Sequence, residues 1–238
     1  MVSFCLNNYH IVRELGMRNT VTALILCFCT SLLLNMSGIG MADAAAAAGP
    51  DEKNFIFYVD TSGSMSLRYH ERGTSRIDVA VDLLHALNDE IPDIDANIGV
   101  YTFAPHKEFR RVSPFDRDAL TETFNQIPTD FEFAGRVTPM SHGILNLDPM
   151  IAALPGTVEF IVVTDGGPNV DPPVDEVIEN VYLRFGDRVC FHFISFAKKS
   201  SEKALIKTLS DLNDCSVSVE AVDLLDASAR ADFIEKVF

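Results

Sequence analysis

The chain of 238 residues is 47% apolar and carries 34 Asp+Glu against 19 Lys+Arg, a formal charge of −15. That is enough apolar material for one sizeable core and too little for several. The acidic balance excludes a nucleic-acid or anionic-membrane surface, where basic patches supply the affinity; 22% charged residues and 17 Phe exclude disorder.

Residues 21–34 form a 14-residue run without charge, preceded by Arg13 and Arg18 and followed by Met41-Ala42-Asp43-Ala44, an Ala-x-Ala exit. A basic start, a short apolar stretch and small exit residues mark a secretory signal peptide, so residues 1–44 are expected to be cleaved after Ala44. The alternative is an uncleaved anchor. Residues 19–42 are free of charge and long enough for a bilayer of ~30 Å, but Asn35, Ser37, Gly38 and Gly40 make the second half weakly apolar. Either way the rest is expected to be exported, to the periplasm if the source is a Gram-negative bacterium and otherwise to the outside. Removing residues 1–44 takes away two bases and two acids, so the charge stays at −15, and it leaves Cys190 and Cys215 as the remaining cysteines. In an exported domain these read as a disulfide or as two buried thiols. Residues 45–53 are a short polar lead.

From residue 54 onward, short apolar runs alternate with amphipathic stretches. Phe55-Ile56-Phe57-Tyr58-Val59 is apolar on both faces, as a central parallel strand covered on each side should be. The same pattern predicts strands over 98–103, 158–163 and 189–194, with a weaker one over 216–219. The more charged run over 107–112 predicts a sheet edge, where charge discourages unwanted pairing. Ile77, Ala80, Leu84, Leu87 and Ile91 recur at spacings of three and four, predicting a helix; Ser75 with Asp78 supplies a capping box and Pro92 a stop. Further helices are expected over 115–127, 139–153, 173–185, 200–212 and 226–237. Strands alternating with helices predict an α/β domain over 54–238 with a mostly parallel sheet. Ligands of such sheets bind beyond the carboxyl ends of the strands.

Two such ends carry acids. The first strand runs into Asp60-Thr61-Ser62-Gly63-Ser64-Met65, where a carboxylate and two hydroxyls at alternate positions can converge. The fourth runs into Thr164-Asp165-Gly166-Gly167-Pro168-Asn169. All-oxygen ligation suits a hard divalent cation. Asp-x-Ser-x-Ser alone is equally the composition of a turn with capping residues.

With these residues in place, the stretch 54–238 resembles a von Willebrand factor type A domain, a Rossmann-like three-layer fold. That family's metal-ion-dependent adhesion site combines Asp-x-Ser-x-Ser after the first strand, a distant Thr, and an Asp after the fourth strand. Here Asp60, Ser62 and Ser64 match the first element. Thr138, in Gly135-Arg136-Val137-Thr138-Pro139-Met140, matches the second, and Asp165 the third. The resemblance implies direct binding of Mg²⁺ or Mn²⁺ by the three hydroxyls, with Asp60 and Asp165 acting through water or as switching ligands. It further implies a position left open for an Asp or Glu of a protein partner. A cation so poorly neutralised would attract a carboxylate even to an acidic protein. The family's sheet also places the strands begun by Cys190 and Cys215 side by side, which implies a bridge at the end away from the metal.

An enzyme is not expected. No phosphate-binding loop, dinucleotide fingerprint or nucleophile elbow is present. A phosphoaspartate phosphatase would need a second Asp where Ser62 stands. His70, His85, His106, His142 and His192 lack close metal-ligand spacing, though His142 falls near Thr138. Arg68, Tyr69 and Arg72, following the first loop, are residue types enriched at interfaces; they read as partner-selecting residues or as a solvated connection. The expected function is thus metal-dependent capture of a protein partner, in adhesion or envelope-complex assembly. The alternatives are a metal that only ties loops together and a metal-dependent hydrolase.

Overall fold

A computed structural model describes residues 52–69, 72–130, 137–167 and 172–238. The expected leader and anchor segment lies outside the described residues. The central sheet has six strands: β1 (Lys53–Asp60), β4 (Asn97–Phe103), β5 (Lys107–Pro114), β6 (Thr157–Thr164), β7 (Val189–Ser195) and β8 (Ser218–Glu220). Their order is β5-β4-β1-β6-β7-β8, and every pairing is parallel except β4 with the edge strand β5. Two further strands, β2 (Arg68–Tyr69) and β3 (Thr74–Ser75), form a separate antiparallel hairpin.

β1 shows why the strands are apolar throughout. Phe55, Phe57 and Val59 enter one core and Ile56 and Tyr58 the other, and all five are fully buried. Three helices cover the first face: α1 (Arg76–Glu90), α2 (Arg117–Phe124) and α6 (Ala227–Val237). Three cover the second: α3 (Met140–Ala153), α4 (Val174–Phe185) and α5 (Ser200–Ser210). With both faces roofed, period-two alternation is lost in β1, because no position from Asn54 to Asp60 faces water. The layers touch closely. A Cβ on Gly143 of α3 would fall 1.6 Å from the Tyr58 hydroxyl, so only glycine lets this helix lie on β1.

Helix starts follow local chemistry. The Ser75 hydroxyl accepts from Asp78 N at 3.1 Å while the Asp78 carboxylate accepts from Ser75 N at 3.2 Å, which is the expected capping box. α2 is shorter than 115–127 because Asp116 caps it, accepting from Ala119 N at 3.0 Å, while Phe115 N bonds back to Ala96 O. β8 starts two residues later than expected. Val217 N donates to His192 Nδ1 at 3.2 Å, so the preceding segment is held by a side chain before the ladder begins. A disulfide joins Cys190 to Cys215 at the amino end of β7, opposite the sheet edge that carries Asp60 and Asp165. Among the described residues, no helix is long and apolar enough to cross a membrane.

One expectation is corrected. The described part of 66–73 is not a free loop, since Arg68–Tyr69 pairs with Thr74–Ser75, and Tyr69 is not an interface residue. Tyr69 is buried in the core, edge-on to Phe196 with centroids 5.2 Å apart, and Lys198 Nζ lies 4.4 Å over its ring. Pairing β2 with β3 turns the aromatic inward and leaves Arg68 and Arg72 outside.

Candidate metal centre

Asp60 ends β1 and Asp165 directly follows β6, neighbouring parallel strands, so their acids emerge side by side. Ser62 and Ser64 lie in the turn and single 3₁₀ turn after β1, and Thr138 stands just before α3. Asp60, Ser62, Thr138 and Asp165 are buried, and Ser64 is half-buried.

The five side chains converge. Ser62 Oγ and Ser64 Oγ are 3.1 Å apart. A Cβ built on Gly167 would meet Asp165 Oδ1 at 3.0 Å, Thr138 Oγ1 at 3.3 Å and Ser64 Oγ at 3.4 Å. Oxygens from three separate stretches thus surround one small space that a glycine keeps free. Asp60 is fastened beside it. Its Oδ1 accepts from Ser62 N at 2.8 Å, and its Oδ2 accepts from the Thr164 hydroxyl at 2.7 Å. Thr164 Oγ1 in turn accepts from Gly166 N at 3.1 Å, and Asp165 Oδ1 accepts from Gly167 N at 3.0 Å.

The electrostatics are those of a crowded anionic pocket. Burial, then the charge of Asp165, push the Asp60 carboxyl up to about 7, against the pull of hydrogen bonds from Ser62 and Thr164. Two buried carboxylates facing each other favour a proton or a cation between them. The donor set of hydroxyls and carboxylates, with no sulfur or imidazole, fits a hard divalent ion such as Mg²⁺ or Mn²⁺. Gly166 and Gly167 also line a cleft of about 400 Å³ shared with Lys199, Ser201, Glu202 and Leu205, so the cluster lies beside a solvent-facing groove.

Arg76, the first residue of α1, also reaches the cluster and was not foreseen. Its Nη1 contacts Asp165 Oδ2 and donates to Ser64 O at 3.2 Å. The one sign in the sequence is a base in a first helical turn, where the helix dipole disfavours positive charge unless a local acid compensates. His142 is exposed on α3.

A second cluster, of Glu159, Cys190 and His192, also escaped the spacing argument, because it forms across β6 and β7. Its chemistry is structural. The Cys190 sulfur is committed to the disulfide. Since His192 Nδ1 accepts from Val217 N, the ring proton sits on Nε2 and points to Glu159 Oε2 at 3.1 Å. Neither ring nitrogen of His192 is left with a free lone pair for a metal.

The fold defines the class: the described residues from 52 to 238 have the architecture of a von Willebrand factor type A domain. Among solved structures, BatB from Bacteroides thetaiotaomicron matches 78% of this chain over 97% of its own, with 14% identity and a TM-score of 0.57. The von Willebrand factor type A protein from Catenulispora acidiphila matches 79% of this chain over 43% of its own, at 15% identity and a TM-score of 0.55. Manganese-loaded TRAP from Plasmodium vivax matches 75% of this chain over 74% of its own, at 15% identity and a TM-score of 0.53. No protein-family model matches the sequence, and no curated protein does.

Proposed function

We propose that this chain is an exported, divalent-metal-dependent protein-binding module that captures an Asp or Glu of a partner. The observation that carries the reading is the ring of oxygens from Ser64, Thr138 and Asp165 about the space beside Gly167, with Ser62 and Asp60 adjoining. In this reading Ser62, Ser64 and Thr138 hold Mg²⁺ or Mn²⁺ through their hydroxyls. Asp60 and Asp165 act from just outside, through water or as switching ligands. The ion supplies a Lewis-acidic position for an incoming carboxylate. Asp60, with both oxygens already accepting protein hydrogen bonds, suits an outer role. The cleft beside Gly166 and Gly167 gives the partner's chain a place to lie, and at its rim Lys199 is paired with Glu202, Nζ to Oε1 at 2.8 Å.

The apolar run over residues 21–34 supports export. The manganese-loaded TRAP structure supports the choice of a hard divalent ion.

Gly167→Ala tests the reading. The new methyl group would occupy the space within 3.0–3.4 Å of three proposed oxygen donors. Calorimetry should show Mg²⁺ and Mn²⁺ binding to the wild type and its loss in Gly167→Ala, with the far-UV circular dichroism unchanged. Metal binding that survives the substitution would place the ion elsewhere and sink the proposal.

A further inference from the structure

We infer that Arg76 withholds the charge of Asp165 from the proposed cation, so that the bound ion stays short of negative charge and a partner's carboxylate supplies it. The inference rests on the metal-binding reading above. It concerns a positioning residue that the metal-ligand pattern does not include.

Arg76 is only 8% exposed and stands at the start of α1, against the helix dipole. Burying a guanidinium is costly unless acceptors meet it. Both acceptors it meets among the described residues belong to the cluster: Asp165 Oδ2 and the carbonyl oxygen of Ser64. Its Nε is buried and finds no acceptor among the described residues. The side chain is therefore not satisfied by a general network; it is aimed at the cluster.

The effect on Asp165 is specific. Oδ2 lies on Arg76, while Oδ1 accepts from Gly167 N and faces the hydroxyls of Thr138 and Ser64. With one oxygen engaged, Asp165 cannot chelate through both, and its charge is shared with the guanidinium. With both acids ionised beside a bound cation, two carboxylates and one guanidinium sum to −1. A divalent ion brings the cluster to +1, and a partner carboxylate brings it to zero. Without Arg76 the same steps run from −2 to zero and then to −1. Neutrality would be reached before the partner arrives. Arg76 thus weakens the hold on the ion and strengthens the hold on the carboxylate. A merely scaffolding arginine predicts the opposite for the ion, since an unfastened Asp165 would bind it less well.

The test follows Mn²⁺ uptake by the full chain, from loss of the free-ion paramagnetic resonance signal, with and without acetate as the carboxylate probe. Wild type, Arg76→Gln and Arg76→Lys are compared. Removing one charge at short range in a medium of effective dielectric near 20 should tighten Mn²⁺ by about tenfold or more in Arg76→Gln. Acetate should tighten Mn²⁺ in the wild type and do so less in Arg76→Gln, since the coupling is reciprocal. Arg76→Lys, which keeps the charge, should stay within about threefold of wild type on the same electrostatic argument. Equal or weaker Mn²⁺ binding by folded Arg76→Gln overturns the inference, as does undiminished acetate coupling. If Arg76→Gln does not fold, Arg76→Lys decides: wild-type-like affinity and coupling support the inference, and tenfold tighter Mn²⁺ refutes it. If wild type and variants alike take up no Mn²⁺, the metal site falls and this inference with it. Wild-type uptake that Gly167→Ala abolishes and Arg76→Gln leaves unaltered confines the failure to Arg76.

Discussion

Replacing Asp60 by Asn removes a charge that the fold buries completely and sets against Asp165. The carboxyl rises from 3.8 to about 7 on folding, so the native state holds its proton more tightly than the unfolded chain does. The stability this lends is complete below pH 3.8 and is lost as pH climbs through about 7. At 1.36 kcal/mol per unit, the burial penalty grows to about 4 kcal/mol by neutral pH. Asn keeps an acceptor for Ser62 N but takes away the acceptor of the Thr164 hydroxyl, a cost of about 1 kcal/mol. Chelated Asp60→Asn should therefore exceed the chelated wild type by about 3 kcal/mol at pH 8, on the order of 10 °C in melting temperature. The advantage should vanish near pH 4. Urea and thermal unfolding across pH 4–8 in the presence of EDTA read this directly. Mg²⁺ should stabilise only the wild type. A gap between the two proteins that does not change with pH would refute the account of Asp60 as a buried, repelled carboxylate.

Two further predictions concern the fold. Gly143→Ala drives a methyl group against the Tyr58 hydroxyl and should cost about 1–3 kcal/mol by urea unfolding. That hydroxyl is buried with no partner among the described residues, so Tyr58→Phe should be close to neutral alone and should recover part of the loss in the double variant. Additive losses would refute this contact. Removing the Cys190–Cys215 bridge, which spans 25 residues, as Cys190→Ser/Cys215→Ser should cost about 3.5 kcal/mol by loop entropy. A free-thiol assay on denatured wild-type protein should find neither Cys190 nor Cys215 reactive.

Much of this molecule is legible from local pattern. The run Phe55 to Val59 is apolar at every position, and only a strand between two layers needs that. The Ser75–Asp78 box and the Asp60-Thr61-Ser62-Gly63-Ser64 turn rest on neighbours within a few residues, so spacing suffices to read them. Tyr69 and Arg76 show where reading stops. Each is a residue type common at surfaces. One is buried because β2 pairs with β3, the other because Asp165, 89 residues away, arrives beside it just after β6. Glu159 and His192 look unrelated at their spacing and meet only because β6 and β7 run side by side in register.

The amino-acid order by itself determined the alternation of strand and helix and the chemistry available at two strand ends, because periodicity and turn composition act over a few bonds. Which oxygens share one space, which arginine offsets their charge, and which aromatic turns inward were decided by tertiary packing. Charge and burial depend on neighbours in space, and only the assembled sheet with its two layers of helices brings those neighbours together.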